Sequence, residues 1–187
     1  MSNITHKINK GGYENLIVYH LGILLYGLNA DFCKTHLPNM QDKRTVEQMI
    51  QAARSGKQNI VEGILANSTE GCLKLLGVAR ASWGELIEDY KDFLMINKLK
   101  IWLKDDRDTI LIRQIKIEKV NEANKIKITN FLNTPERFAN LLITLSYKES
   151  YMLSKLIAVF ENKFIKEGGF RENLFKKRID YRNQQNK

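Results

Sequence analysis

Histidine and cysteine, the side chains best suited to acid–base catalysis and metal binding, are scarce in this sequence. The histidines are His6, His20 and His36, and none has a second His or Cys at the spacing of a metal site. Cys33 and Cys72 are the only cysteines, too few for a disulfide framework or a four-ligand zinc site. The sequence therefore predicts no metal and no cofactor. Two widely separated thiols favour a reducing compartment, and we expect a cytoplasmic protein.

Carboxylates offer a second route to catalysis, because paired acids across helices can hold two metal ions. Glu85, Glu88 and Asp89 lie close together in the third predicted helix, and Glu62 lies near the end of the second. Known di-metal bundles also need Glu-x-x-His pairs, which are absent here. A Walker-type phosphate loop, a Gly-x-Gly-x-x-Gly fingerprint and a Gly-x-Ser-x-Gly elbow are absent too. We predict a non-catalytic protein whose acids form salt bridges or solvated contacts.

Positive charge is the main chemical signal. Thirty Lys and Arg residues face 21 Asp and Glu residues, which gives a net charge of +9 and a pI near 9.5. Such a surface attracts polyanions, so nucleic acid or an anionic membrane is the natural partner class, although a merely solvated basic face gives the same composition. The candidate nucleic-acid-binding residues are Arg54, Lys57, Arg80, Lys176, Lys177, Arg178 and Arg182.

The C-terminal tail combines basic and aromatic residues. From Phe170 onward it holds six basic and two acidic residues, interleaved with Phe175 and Tyr181. These rings could stack on bases. Alternatively, the tail docks on the rest of the fold as a short amphipathic helix, with Phe170, Leu174 and Phe175 facing inward. A membrane-surface role is a third reading, but the modest apolar content would give weak binding.

These residues are expected to lie on helices, because the composition and the scarcity of helix-breaking residues favour a helical domain. The chain has 187 residues, 43% of them hydrophobic, and only two prolines. No stretch reaches the roughly 18 apolar residues of a membrane span, so no membrane partner is expected. Apolar spacing and capping residues predict helices from about Tyr13 to Cys33, Asp42 to Leu65, Thr69 to Asn97, Asp105 or Asp106 to Phe131, and Pro135 to Glu167.

The third predicted helix has the clearest pattern. It carries an apolar seam spaced like a heptad repeat, which predicts packing against neighbouring helices. A second stripe beside it contains two glycines, which would let another backbone approach closely. The seam residues are Leu76, Ala79, Trp83, Leu86, Tyr90 and Phe93. The second stripe is Leu73, Gly77, Arg80, Gly84, Ile87, Lys91 and Leu94.

These elements predict an all-α fold: an up-down antiparallel four-helix bundle with an additional long C-terminal helix and a short basic tail. Residues 1–12 form a polar leader and residues 13–133 the bundle. Residues 134–187 are a C-terminal helical suffix outside it. The Thr134-Pro135-Glu136 start and the Gly168-Gly169 end mark the long helix of that suffix.

A family resemblance adds to this reading. Residues 48–63 read QMIQAARSGKQNIVEG, and residues 79–86 fit the pattern A-x-G-S-x-x-E-L with Ala81 in place of its glycine. Together they resemble the four-helix bundle proteins first noticed as products of intervening sequences in bacterial 23S ribosomal RNA genes, over roughly Tyr13 to Phe131. The matched residues are Gln48, Ala52, Ala53, Ser55, Asn59, Ile60, Glu62, Gly63, Ala79, Ser82, Glu85 and Leu86.

The resemblance implies a homopentameric ring with basic surfaces and no enzymatic activity. A related branch, the accessory variability determinant of diversity-generating retroelements, partners a reverse transcriptase and its RNA. The family carries two adjacent basic residues in its second helix, and Ile50 and Gln51 occupy those two positions here. The basic residues of this segment are instead Arg54 and Lys57. We therefore expect an oligomeric bundle that binds RNA or DNA, as an accessory to a reverse transcriptase or another nucleic-acid enzyme. The alternative is a protein–protein interaction scaffold with incidental charge.

Overall fold

The computed structural model describes residues 12–116 and 128–185. This part of the chain is all-α, without a strand, and none of its helices has the length and apolar content needed to cross a bilayer. Short 3-10 helices, Gly12–Asn15 and Met40–Asp42, precede the first two α-helices. The α-helices are α1 (Ile17–His36), α2 (Lys43–Leu65), α3 (Thr69–Ile96), α4 (Arg107–Gln114), α5 (Pro135–Glu167) and α6 (Phe170–Gln185).

Local capping explains where two of the long helices begin. The Ser68 side chain accepts a hydrogen bond from the Gly71 amide at 3.0 Å at the start of α3. Thr134 does the same for the Arg137 amide at 3.2 Å at the start of α5. Asp42 differs from its predicted role as the cap of α2, because its carboxylate instead accepts a hydrogen bond from the backbone amide of Asn39 at 3.3 Å.

The long helices α2 and α3 run antiparallel and pack closely along their lengths. The hydroxyls of Ser55 and Ser82 lie 2.9 Å apart, and Gly63 lies against Cys72 nearer the connecting turn. α1 also packs against α2, where the Asn29 side-chain amide donates to the Met49 carbonyl at 3.1 Å. α2 therefore contacts both α1 and α3.

The predicted seam of α3 is confirmed, because all six of its residues are buried in the core. Trp83 is fully buried, and the Tyr90 hydroxyl donates to the Asn29 side-chain oxygen at 2.6 Å. The second stripe is split: Ile87 and Leu94 are buried, whereas Arg80 is exposed. Only part of that stripe is therefore buried against another helix, although the exposed Arg80 side chain still reaches α5.

The expected fourth helix differs most from the structure. α4 has only eight residues, and residues 117–127 of the predicted helix lie outside the described part of the chain. The start of α4 agrees with the prediction, and the segment before it is held across the start of α5. There the Trp102 amide donates to the Asn140 side chain at 2.8 Å, and the Asn140 side-chain amide donates to the Lys100 carbonyl at 2.8 Å.

α5 is the longest helix of the described chain and packs into the hydrophobic core. It packs against α3 and α1, and every residue from Phe138 to Ser146 is buried. The Phe32 and Phe138 rings meet edge-on with centroids 5.4 Å apart. α5, which was expected to lie outside the predicted bundle, therefore contributes residues to the same hydrophobic core as α1, α2 and α3.

α6 follows α5 after a glycine turn and buries none of its residues. Gly168 adopts a φ of 76°, a left-handed conformation that favours glycine and ends α5. Phe170, Leu174 and Phe175 are exposed by 51%, 55% and 64%. The alternative in which these three residues dock the tail on the rest of the fold is therefore wrong for this structure.

Candidate nucleic-acid interface

The C-terminal helix α6 carries the densest group of free cations in the described chain. Arg171 joins four predicted residues, Lys176, Lys177, Arg178 and Arg182, and all five are exposed. No ion pair links them to an acid within residues 12–116 or 128–185. Elsewhere several cations are paired, as in the 2.8 Å contact between Lys91 and Glu88. The basic residues of α6 are thus available to an external anion.

Helical geometry brings three of these cations onto one face of α6. Arg178 and Arg182 are seven and eleven residues beyond Arg171, so the three guanidinium groups follow one stripe. Phe175 and Tyr181 flank that stripe and are exposed by 64% and 61%. Arginines that can form two hydrogen bonds with a phosphate therefore alternate with rings able to stack on bases.

The two predicted residues on α2 have different surroundings. Arg54 is exposed. Lys57 is half-buried, with its ammonium nitrogen 5.0 Å from the centre of the Tyr26 ring of α1. A cation over a ring is attracted by the ring's negative face, and Lys57 is in addition less exposed to solvent than Arg54. Arg54 remains the more accessible of the pair.

Arg80 lies on the opposite side of the molecule from Lys57, where α3 meets α5. Its guanidinium donates to the Ser154 hydroxyl at 3.2 Å. The predicted residues therefore fall into three groups: α6 gathers four of them, α2 holds Arg54 and Lys57, and Arg80 stands alone. The structure brings only the α6 group together.

Sequence reasoning missed two aromatic residues on the same side as Arg80. Tyr147 and Tyr151 of α5 are exposed by 50% and 63%. The ammonium nitrogen of Lys91 lies 5.7 Å from the Tyr147 ring centre, and that of Lys155 lies 5.3 Å from the Tyr151 ring centre. The four-residue spacing of these tyrosines places both on one face of a helix, and this spacing is the sequence signal for the pair.

The motif residues of α2 and α3 have structural roles. Besides its contact with Ser82, Ser55 accepts a hydrogen bond from the Asn59 side chain at 3.1 Å. A Cβ added to Gly56 would lie 2.6 Å from a ring atom of Trp83, so the absence of a side chain makes room for the indole. These residues position α2 against α3 rather than form a reactive site.

Metal-ligating and thiol side chains are the other candidates for reactive chemistry in the described residues. No group of three or more His, Cys, Asp or Glu residues in that part of the chain could hold a metal ion. Burial raises the pKa of the Cys33 thiol to about 12 and that of the Cys72 thiol to about 11, so both are poor nucleophiles near neutral pH. Burial also lowers the pKa of His36.

Acidic residues concentrate at the end of α3 remote from α6. Burial raises the pKa of Asp89, and the neighbouring charges of Asp92 and Glu85 raise it further. Gly169, at the start of α6, instead lies beside Glu70 in the first turn of α3. These acids of α3 therefore lie at the opposite end of the helix from the turn that contacts the start of α6.

No family model, curated protein or solved structure matches this chain.

Proposed function

We propose that this protein is a non-catalytic helical protein that binds nucleic acid, RNA or DNA, through α6. The observation that carries the proposal is a solvent-exposed helix with five basic residues, no buried residue and no ion pair to a described acid. A helix of this length gains little stability in water by itself, so exposed apolar and basic side chains gain most from an external partner.

The binding mechanism is phosphate neutralisation supported by stacking. Each Lys or Arg that contacts a phosphate releases condensed counterions, which makes affinity depend steeply on salt. Phe175 and Tyr181 lie beside the arginines and add base stacking where bases are accessible. Neither interaction reads base identity, so binding is expected to tolerate many sequences.

The family resemblance supports a wider proposal. α1, α2, α3 and α5 would form the up-down antiparallel four-helix bundle, with α5 as its fourth helix. Copies would assemble into a homo-oligomer, with a pentamer favoured. A nucleic-acid enzyme such as a reverse transcriptase would be the partner in the cytoplasm. Native mass spectrometry measures the copy number, and a monomer at micromolar concentration would contradict the assembly.

Charge reversal on α6 tests the proposed function. The variant replaces Lys176, Lys177 and Arg178 with Glu, and binding to labelled structured RNA and duplex DNA is followed by fluorescence anisotropy over a salt series. The proposal predicts a loss of at least about tenfold in affinity on every sequence. A wild-type protein that binds nothing at low salt would refute it.

A matched control changes the same amount of charge elsewhere. Lys34, Arg44 and Lys104 are exposed and lie at the end of the bundle remote from Gly169. Replacing these three with Glu gives the same net charge as the α6 variant. An equal loss of affinity in both variants would mean that only net charge matters and would contradict a site on α6.

A second candidate function is the protein–protein scaffold, and one observation favours it. Large apolar side chains are exposed at the end of the molecule remote from α6: Met40 by 84%, Met95 by 66%, Ile96 by 77% and Leu103 by 63%. Exposed apolar groups of this kind mark contact surfaces. Under the scaffold hypothesis, Met95→Lys with Ile96→Lys would reduce assembly or partner binding, and the α6 variant would behave as wild type.

A further inference from the structure

We propose that the surface where α3 meets α5 is a second nucleic-acid contact, which binds single strands by stacking bases on Tyr147 and Tyr151. The inference rests on the proposed function and names the form of nucleic acid that this surface accepts. It adds residues that the sequence pattern did not single out. It also gives Arg80, which lies apart from the other predicted residues, a place in a site.

The two tyrosine rings are presented to solvent with cations already beside them. Tyr147 is exposed by 50% and Tyr151 by 63%, so neither ring serves mainly as core packing. Lys91 lies 5.7 Å from the first ring centre and Lys155 lies 5.3 Å from the second. A base stacked on the open part of either ring would bring its phosphate near an ammonium group.

Arg80 extends this group of cations along the surface. Its guanidinium is tied to Ser154 of α5 at 3.2 Å, one turn beyond Tyr151. The side chain keeps further donors, because a guanidinium has five N–H groups and this contact uses one. Arg80, Lys91 and Lys155 therefore line the tyrosine pair with three positive charges.

The surface between the helices is open. The contacts Arg80–Ser154 and Lys91–Tyr147 show that α3 and α5 are antiparallel, in a register that places Gly84 level with Tyr151. No atom lies within 4 Å of the place where a Cβ of Gly84 would stand. Because Gly84 has no side chain and the space beside it is empty, a nucleic-acid backbone can pass beside the rings at this position.

The spacing of the rings selects single strands over duplexes. Four residues along a helix correspond to a rise of about 6 Å, whereas successive bases of a duplex strand lie about 3.4 Å apart. The two rings therefore cannot both stack on adjacent bases of a duplex strand. In a duplex, the faces of each base are also covered by the adjacent bases. An extended single strand exposes its bases and can match the wider spacing.

The net charge of this surface remains positive. Glu88 pairs with Lys91 at 2.8 Å, and the hydrogen bond from Lys91 to Glu88 raises the pKa of Lys91, which keeps that ammonium protonated. The nearby Glu149 carboxyl is fully buried beneath the surface. The three cations therefore outnumber the exposed acid that accompanies them.

The test replaces both tyrosines in the full-length protein. Tyr147→Ala with Tyr151→Ala is compared with Tyr147→Phe with Tyr151→Phe, which keeps the rings. Binding is measured on a 12-nucleotide uridine strand and on an RNA duplex of equal length. We expect the alanine variant to lose at least about tenfold in affinity for the single strand and less than about twofold for the duplex. The phenylalanine variant should bind like wild type.

The possible results separate this inference from the proposed function. Loss of duplex binding in the α6 variant, with unchanged single-strand binding in the alanine variant, refutes the tyrosine site and leaves the proposed function standing. Equal loss on both nucleic acids in the alanine variant refutes single-strand selection. Wild-type protein that binds neither nucleic acid refutes both proposals. Melting temperatures of the variants, expected to be unchanged because both rings are exposed, confirm that folding is intact.

Discussion

Glu149 is the most unusual single residue in the described structure. Its side chain is fully buried in α5, and neither carboxylate oxygen has a hydrogen-bond partner. Burial raises its pKa well above the usual value of 4.5, so the neutral acid is favoured in the folded protein. An ionised carboxylate at this position would be costly to bury.

This burial predicts a specific pH dependence of stability. The folded protein holds the Glu149 proton more tightly than the unfolded chain, whose pKa is near 4.5. The stabilising contribution is therefore complete below about pH 4.5 and is lost as pH rises through the folded-state pKa. Glu149→Gln cannot titrate, so its melting temperature should fall less than that of wild type between pH 5 and pH 8. Parallel curves for the two proteins would contradict this assignment.

Gly56 is a second residue whose role can be tested directly. A Cβ at this position would lie 2.6 Å from Trp83, which is itself fully buried. Gly56→Ala should therefore destabilise the protein by about 1–3 kcal/mol, as expected for overpacking.

Gly27 of α1 provides the matched control for this change. No atom lies within 4 Å of the place where its Cβ would stand, so Gly27→Ala meets no obstacle. This substitution should stabilise the helix by up to about 1 kcal/mol through helix propensity alone. Urea unfolding measures both variants. Equal stability changes would show that the indole does not need the space at Gly56.

At the scale of elements, α5 is packed into the core and α6 lies outside it. α5 contributes a dozen buried residues between Phe138 and Leu156, whereas α6 contributes none. Because the two helices are consecutive in the sequence, their positions in the chain do not indicate this difference in burial. α5 holds the fold together, and α6 is free to serve a partner.

Two truncations test this division. Removal of residues 170–187 should leave the melting temperature within a few degrees of wild type and should weaken nucleic-acid binding. Removal of residues 135–187 should abolish cooperative unfolding, because the hydrophobic core would lose the twelve buried residues of α5 and become exposed to solvent. Circular dichroism melting follows both. A stable, cooperative protein after the larger deletion would contradict the place of α5 in the core.

At the scale of the whole molecule, charge is distributed unevenly. The C-terminal half of α3 carries Glu85, Glu88, Asp89 and Asp92, while α6 starts at the other end of the bundle beside Glu70. Residues 170–187 hold six basic and two acidic side chains, which is a local excess of +4 within the net charge of +9. This field should orient an approaching nucleic acid toward that helix before contact.

The salt dependence of binding reports how many phosphates are neutralised. Each contact adds about 0.9 to the slope of log affinity against log salt for duplex DNA. Replacing Lys176, Lys177 and Arg178 with Ala should therefore lower the magnitude of the slope by about 2–3 on a duplex if all three contact phosphates. An unchanged slope with unchanged affinity would show that these side chains do not contact the phosphate backbone.

Local spacing was sufficient to predict several features. The start of α5 after Thr134, the buried seam of α3 and the end of α5 at Gly168 all depend on residues within a few turns of one another. Helix periodicity and caps act over such distances, so a single sequence contains them. The helical class of the described chain follows from the same local rules.

The tertiary structure decided which helix completes the core and which surfaces form. α5 was expected outside the bundle because the isoleucine-rich segment before it also fits a helix, and spacing does not reveal which of two helices packs. Arg80 and Lys91 reach Ser154 and Tyr147 across more than fifty positions of sequence. Their proximity is set by the antiparallel register of two packed helices, and no pattern within either helix contains that information.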